Sequence, residues 1–205
     1  MYNGTAGRLA FAVVILGMIG GRAAASEPEG GAFMVTTGTT SQPIGHYEFC
    51  QRLPAECAVR SRTEARVALT PRLWNELVAV NAQVNLSITP ATDEEVYGRP
   101  EYWAYPVDRG DCEDLVLLKR RDLIGKGWPT GALLITVVRQ KNGDGHAVLT
   151  VETDRGDLIL DNLNPRVLVW SDTDYEYVKR QSESNSGQWI GIDDARTIAV
   201  GSVTR

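Results

Sequence analysis

Positive charge, histidine and long apolar runs are all scarce in this chain. Lysine and arginine number 21 against 26 aspartates and glutamates, for a formal net charge of −5. That balance excludes a general affinity for nucleic acid, which needs a basic surface. After residue 25 no stretch is long and apolar enough to span a bilayer, so no stable membrane span is expected there. Internal repeats, coiled-coil heptads and low-complexity tracts are absent. Histidine occurs twice, at His46 and His146. A cysteine nucleophile in this chain must use one of them as its base or go without. What is present suits a folded protein: 43% hydrophobic and 23% charged residues over 205, the length of one ordinary domain.

The N-terminus reads as an export signal over residues 1–25. "MYNGTAGR" carries one cation, "LAFAVVILGMIGG" is a short apolar core, and "RAAAS" offers the small residues a signal peptidase accepts. The alternative is a membrane anchor, but Leu9 to Gly21 falls well short of the roughly 20 residues a span needs. Residues 26–42, rich in Gly, Ser and Thr, read as a flexible leader, and residues 43–205 as the domain. Export places the protein in the periplasm or outside the cell, where disulfides persist. Three cysteines leave one over. Cys50 and Cys57 lie close together with Pro54 between them, so a short-loop disulfide is the simplest pairing. Cys112 is then the leftover thiol, either buried and inert or reactive.

Two helices precede a set of strands, which gives an α+β domain. "TPRLWNELVAVNAQVNLSI" is a helix with Thr70 as N-cap, Pro71 in its first turn and an apolar stripe of Leu73, Leu77, Val80 and Val84. Asn81 and Asn85 lie beside that stripe and read as solvated or locally bonded. Pro90 to Gly110 reads as a loop carrying Tyr97, Tyr102, Trp103 and Tyr105. A second helix runs from near Cys112 to about Ile124 and is apolar around most of its circumference, so it belongs in the interior. Lys119, Arg120 and Arg121 fall in its later half, where cations suit the helix dipole. The runs "GALLITVVRQ", "GHAVLTVETD" and "GDLILDNLN" read as antiparallel strands joined at "KNGDG" and "DRGD", with "VLVWSD" and "GQWIGI" extending the sheet.

The chemistry centres on "RGDCEDLVLLKRRDL". A thiol at a helix N-terminus can be held as thiolate by a histidine, and a carboxylate can orient that histidine. Cys112, His146 and Asp161 meet this demand topologically, because His146 opens one strand and Asp161 closes the next. A hairpin turning at Arg155–Gly156 would leave the two about four residues out of step, a gap on the order of 13 Å at strand rise. A longer loop, bulge or bend would have to close it. Asp111, Glu113 and Asp114 have two readings. Asp111 can cap the helix by accepting from the Asp114 N–H, with the acids suiting the first turn. Alternatively the three hold calcium, which takes carboxylate oxygens. A cation there would cancel their repulsion of the thiolate and make the nucleophile depend on calcium.

Taken together, "FCQRLPAEC", "VNAQVN", "EYW", "RGDCEDLVLLKRRDL", "GHAVLTV" and "GDLILDN" resemble the bacterial transglutaminase-like cysteine peptidases in both content and order. The best-understood members are calcium-dependent periplasmic proteases that cut large surface adhesins. The resemblance implies a papain/transglutaminase-like fold, with the nucleophile helix packed on an antiparallel sheet. It implies Cys112 as nucleophile, His146 as base and Asp161 as orienter, with Asp111, Glu113 and Asp114 at the family's calcium-binding positions. It also implies a protein or peptide substrate, with a surface adhesin as the family example. Leu115 departs from the family, which usually has an aromatic there. Two other functions use the same residues: acyl transfer to an amine, as in a transglutaminase or amidase, and non-catalytic binding of a peptide or calcium.

Overall fold

A computed structural model describes residues 1, 31–61 and 66–198. The expected export signal therefore lies outside the described residues apart from Met1. No helix among the described residues is long and apolar enough to cross a membrane. In chain order the elements are β1 (Val35–Thr40), α1 (Ile44–Arg52), α2 (Pro54–Cys57), α3 (Pro71–Ser87), β2 (Thr89–Pro90), α4 (Asp93–Tyr97), β3 (Arg109–Gly110), α5 (Cys112–Gly125), β4 (Leu133–Arg139), β5 (Gly145–Thr153), β6 (Gly156–Leu160), β7 (Leu168–Val169), β8 (Glu176–Ser182) and β9 (Asn185–Asp193). Seven strands form one antiparallel sheet in the order β1-β9-β8-β4-β5-β6-β7. β2 and β3 make a separate short parallel pair. This is the expected α+β architecture, with the helix bearing Cys112 packed on an antiparallel sheet.

α3 begins as its sequence dictates. The Thr70 hydroxyl accepts the Leu73 N–H at 3.3 Å, and Pro71 fills the first position, where no N–H is needed. Leu77, Val80 and Val84 face inward against α5. On α5, Leu115, Val116, Leu117 and Leu123 are each at most 2% exposed. Burying a side chain of that size is worth roughly 1.5–3 kcal/mol, so α5 is fixed chiefly by packing. The sheet alternates with period two. Leu133, Ile135, Ala147, Leu149, Val151, Leu158 and Leu160 pack with the helices. Val138, Val148 and Ile159 form a second cluster on the opposite face with Met34, Trp170 and Tyr177.

Several expectations need correcting. Part of the expected leader is strand β1, which pairs with β9 because the backbone N–H and C=O groups of Val35–Thr40 are satisfied there. The stretch from Pro90 to Gly110 is not all loop. Thr92 and Glu95 form a capping box that starts α4. β8 lies in a segment with no strand expected, and it fills the sheet between β4 and β9. Lys119 and Arg120 do not serve the helix dipole from the surface. Both are buried, and the Arg120 Nε–H donates to the Leu133 carbonyl at 2.9 Å. Arg121 alone of the three is exposed, and its guanidinium sits 4.4 Å from the Tyr105 ring centroid.

The β5–β6 hairpin turns one residue earlier than expected. Its last pair is Thr153↔Gly156, so the turn is Asp154–Arg155. The Thr153 hydroxyl accepts the Arg155 N–H and donates to the Gly156 carbonyl. Gly156 follows at φ 132°, a backbone that side chains rarely tolerate. Carrying that register on from Leu149↔Leu160 places Asp161 opposite Val148, two residues from His146 rather than four. Diagonal neighbours of this kind lie about 7–8 Å apart at the backbone, and side chains bridge that without a bulge.

Candidate active site

Cys112 is the first residue of α5, separated from the β3 strand by Asp111 alone. Gly110 is required there, since a Cβ would come within 2.7 Å of the Asp114 carboxylate. The Cys112 thiol donates to Glu113 Oε2 at 3.0 Å. Burial, followed by the Glu113 charge, pushes the thiol pKa well up, while the Ala147 N–H draws it down. Cys50 and Cys57 are joined as a disulfide, and Cys112 is free.

His146 is the second residue of β5, and Asp161 directly follows the last residue of β6. His146 Nε2 lies 2.9 Å from Asp161 Oδ1, and both side chains are 3% exposed. The Leu163 N–H donates to the same oxygen at 3.0 Å, and the Tyr175 hydroxyl donates to Oδ2 at 2.5 Å. Burial alone would raise the Asp161 pKa. The bonds from His146, Tyr175 and the Leu163 N–H outweigh it and hold the carboxyl below its ordinary value. On the helix side, Asn85 Nδ2 donates to the Asp161 backbone carbonyl at 2.8 Å. Asp161 is thus gripped through its carboxylate on one face and its backbone on the other. With Nε2 committed to Asp161, Nδ1 is the ring atom left for a thiol.

Cys112, Gly145 and His146 form a shared wall between two cavities. One, of about 390 Å³, has Ile88, Ala91, Leu115 and Leu163 among its walls. The other, of about 230 Å³, is lined by Pro43, Glu101, Trp103 and Val137. A wider depression of about 670 Å³ at the β4–β5 turn contains neither Cys112 nor His146. Its cations Arg139, Lys141 and Arg196 are paired with Glu176, Asp174 and Asp194.

The model of the bacterial transglutaminase-like cysteine proteinases matches residues 36–197. The chain belongs to this family. It is therefore a cysteine peptidase, with the transglutaminase-like fold expected from its sequence. Comparison with curated proteins returned no match. Among solved structures, this peptidase is similar to calcium-bound LapG of Legionella pneumophila, with TM-score 0.49, 26% identity, and coverage of 67% of this chain and 77% of that one. EGTA-treated LapG gives 0.48, 27%, 61% and 73% on the same measures.

The acids of the peptidase divide differently from their sequence spacing. Asp111 stands outside α5 in extended backbone and makes no side-chain cap. Its carboxyl faces Glu113 and Asp93, and one ligand oxygen from each of the three lies within 4.8 Å of the others. Burial, then the neighbouring Asp111 charge, raises Glu113 to about 9. Burial also raises Asp111 and Asp93. Asp93 Oδ1 and Asp111 Oδ1 are buried without a hydrogen-bond partner. Asp114 turns to other partners: its Oδ1 accepts the Ala104 N–H at 2.7 Å, and its Oδ2 accepts the Tyr97 hydroxyl at 3.4 Å.

Sequence reasoning missed three residues of this site. Asp93 had a signal in Thr92-x-x-Glu95, the capping box that builds the helix presenting it. Asn85 and Tyr175 reach Asp161 only through tertiary contacts, and nothing local marks them. The other histidine, His46, lies elsewhere, 1% exposed against the disulfide and accepting from Trp189 Nε1 at 3.1 Å.

Proposed function

We propose that the protein is an exported thiol peptidase that cleaves a protein substrate through Cys112, His146 and Asp161. The observation that carries this reading is His146 Nε2 held by a buried Asp161 at 2.9 Å, with His146 lining the same two cavities as the free thiol of Cys112. His146 Nδ1 takes the Cys112 proton, and the sulfur attacks the scissile carbonyl carbon. The N–H of Cys112, at the start of a helix whose N-cap makes no side-chain bond, receives the developing oxyanion. The imidazolium then gives its proton to the leaving amine as the C–N bond breaks. Water, deprotonated by His146, releases the acyl group. Asp161 stays ionised throughout and holds the ring.

Asp93, Asp111 and Glu113 suit a calcium ion. The support is their converging carboxylates and two buried oxygens that lack a partner. Calcium bound there supplies positive charge that offsets the acids around the thiol. Asp93, Asp111 and Glu113 would hold the ion, and with it in place the acid beside the Cys112 thiol would repel the thiolate less. Export is supported by the apolar run at residues 9–21 and by the Cys50–Cys57 disulfide.

N-terminal proteomics of the exported fraction, wild type against Cys112→Ala, tests the activity and names the substrate. New termini that depend on Cys112 support proteolysis, and termini within a surface adhesin would place this chain with the family's best-understood members. Casein with a labelled amine separates the alternative: incorporation of label without new termini means acyl transfer. For the metal, titration calorimetry should give calcium binding that Asp93→Ala abolishes and Asp114→Asn retains. Loss in Asp114→Asn alone would refute this ligand set.

A further inference from the structure

Tyr175 stands one residue before β8 begins. The sheet register carries it to the strand of His146: His146 on β5 pairs with Val138 on β4, and Val138 pairs with Tyr177 on β8. Two residues before Tyr177, the Tyr175 ring lies 5.4 Å from the His146 ring, centroid to centroid, at an angle of 51°. Its hydroxyl donates to Asp161 Oδ2 at 2.5 Å. The two oxygens of Asp161 therefore have separate partners. Oδ1 takes His146 Nε2 and the Leu163 N–H, while Oδ2 takes Tyr175 alone among the described residues. A carboxylate as buried as this one needs a donor on each oxygen, because an unpaired oxygen costs its full desolvation. Burial, then the bond to Asp161 and the Asp161 charge, push the Tyr175 phenol far up, so it keeps its proton and stays a donor. Tyr175 also lines, together with Asp161, a cavity of about 220 Å³. The same ring belongs to the wall of the 670 Å³ depression, which contains neither Asp161 nor His146. It thus separates the open depression from the Asp161–His146 bond.

We propose that Tyr175 is a positioning residue, whose hydroxyl holds Asp161 Oδ2 so that Oδ1 stays on His146 Nε2, and whose ring keeps water from that bond. The inference rests on the reading of Cys112, His146 and Asp161 given above. The torsion that turns a carboxylate is broad and roughly two-fold, so an aspartate held at one oxygen can rock or exchange its oxygens. The Leu163 N–H secures Oδ1 only. Tyr175 ties the other oxygen and stops the rotation. A site of this kind works only as well as the partners that lock its side chains. Loss of the phenol would leave Oδ2 buried and unpaired, and the carboxylate would turn or admit water to satisfy it. Either response loosens the hold on Nε2, on which the offer of Nδ1 to the thiol depends.

Two readouts on the full-length protein with calcium added test this. One is the rate of Cys112 alkylation by iodoacetamide at neutral pH. The other is nitrogen-15 NMR of the two histidine rings, which shows where each ring proton sits and how fast it exchanges; His46→Leu assigns the signals. Wild type should show a proton on His146 Nε2 that is slow to exchange. In Tyr175→Phe, which keeps the ring and loses the donor, that proton should exchange faster. Alkylation should be about tenfold slower, the lower end for one hydrogen bond to a charged group. Tyr177→Phe is the comparison: it loses a bond to the Thr173 hydroxyl two residues along the same segment, and should match wild type in both readouts. A Tyr175→Phe protein that matches wild type in both overturns the proposal. So does a Tyr177→Phe protein that changes as much, since the effect would then be general loosening of β8. Should Tyr175→Phe not fold, the wild-type Tyr175 hydroxyl proton decides: slow exchange supports the bond, and exchange at the rate of a free phenol overturns it. His146→Ala is run alongside. If it is alkylated at the wild-type rate, the Cys–His reading fails and the role of Tyr175 with it. If it slows while Tyr175→Phe does not change, only the role of Tyr175 is refuted.

Discussion

His146 can offer Nδ1 to a thiol only while something else claims Nε2, and Asp161 is that claimant at 2.9 Å. Asp161→Asn keeps the size but removes the charge that selects the tautomer. We expect casein hydrolysis to fall by on the order of 10³–10⁴-fold, as in related triads, with little change in thermal midpoint. A loss below about tenfold would mean that Asp161 only fills space. The other histidine makes a contrasting prediction about stability. Burial, then the nearby Arg120 charge, lowers the His46 pKa to about 4. The unfolded chain, with a histidine near 6.5, takes up that proton first as pH falls. The neutral ring's contribution is therefore complete above about pH 6.5 and is lost as pH drops towards 4. Between pH 7 and 5 this amounts to about 2 kcal/mol. Urea unfolding of wild type and His46→Leu at both pH values measures it, and the variant should lose about 2 kcal/mol less over that interval. Equal losses would show that His46 is not held neutral.

Elements differ in how far they announce themselves, and the site inherits the difference. α3 and α5 were legible because Thr70, Pro71 and long apolar runs act locally. The strands around His146 and Asp161 were legible from their Val, Ile and Leu content, but the hairpin register was not. It turns on Thr153 bonding across Asp154–Arg155, one residue from the turn that the glycine suggests. Asn81 and Asn85 looked like surface residues, because burial by α5 and by the 161–165 segment is a tertiary event. α4 was missed although its capping box is written in the sequence, and with it went Asp93. That omission yields a prediction. Thr92→Ala removes the acceptor for the Glu95 N–H, at a cost of about 1 kcal/mol. If that order is what presents Asp93, the calorimetric Kd for calcium should rise about fivefold, the same energy expressed as binding. An unchanged Kd would mean that Asp93 is held by the Tyr102 N–H alone.

At the scale of the molecule, the sheet keeps its reactive end and its exposed end apart. Cys112 and His146 line shared cavities at the start of β5, while β1 closes the far edge beyond β4, β8 and β9. Every side chain of β1 is exposed, so it adds little to the core. What it supplies is backbone pairing for β9, with Val35 opposite Asp193, Thr36 opposite Ile192, Thr39 opposite Ile190 and Thr40 opposite Trp189. Without it, β9 would present a row of unpaired N–H and C=O groups, a ready template for a second copy. β9 also carries the buried Trp189 that bonds His46, so disturbance of this edge reaches the disulfide region before it reaches the thiol. The double change Thr36→Pro with Thr39→Pro removes two N–H groups from β1 while leaving the chain full length. We expect the urea midpoint to drop by the equivalent of roughly 1–2 kcal/mol, one or two net hydrogen bonds. Light scattering should show dimers or larger species at micromolar concentration, and iodoacetamide labelling of Cys112 should stay at the wild-type rate. A monodisperse variant with an unshifted midpoint would mean that β1 does not protect the sheet. Slowed labelling would mean that the two ends are coupled, because a strand four places from β5 can affect Cys112 only through the packing between them.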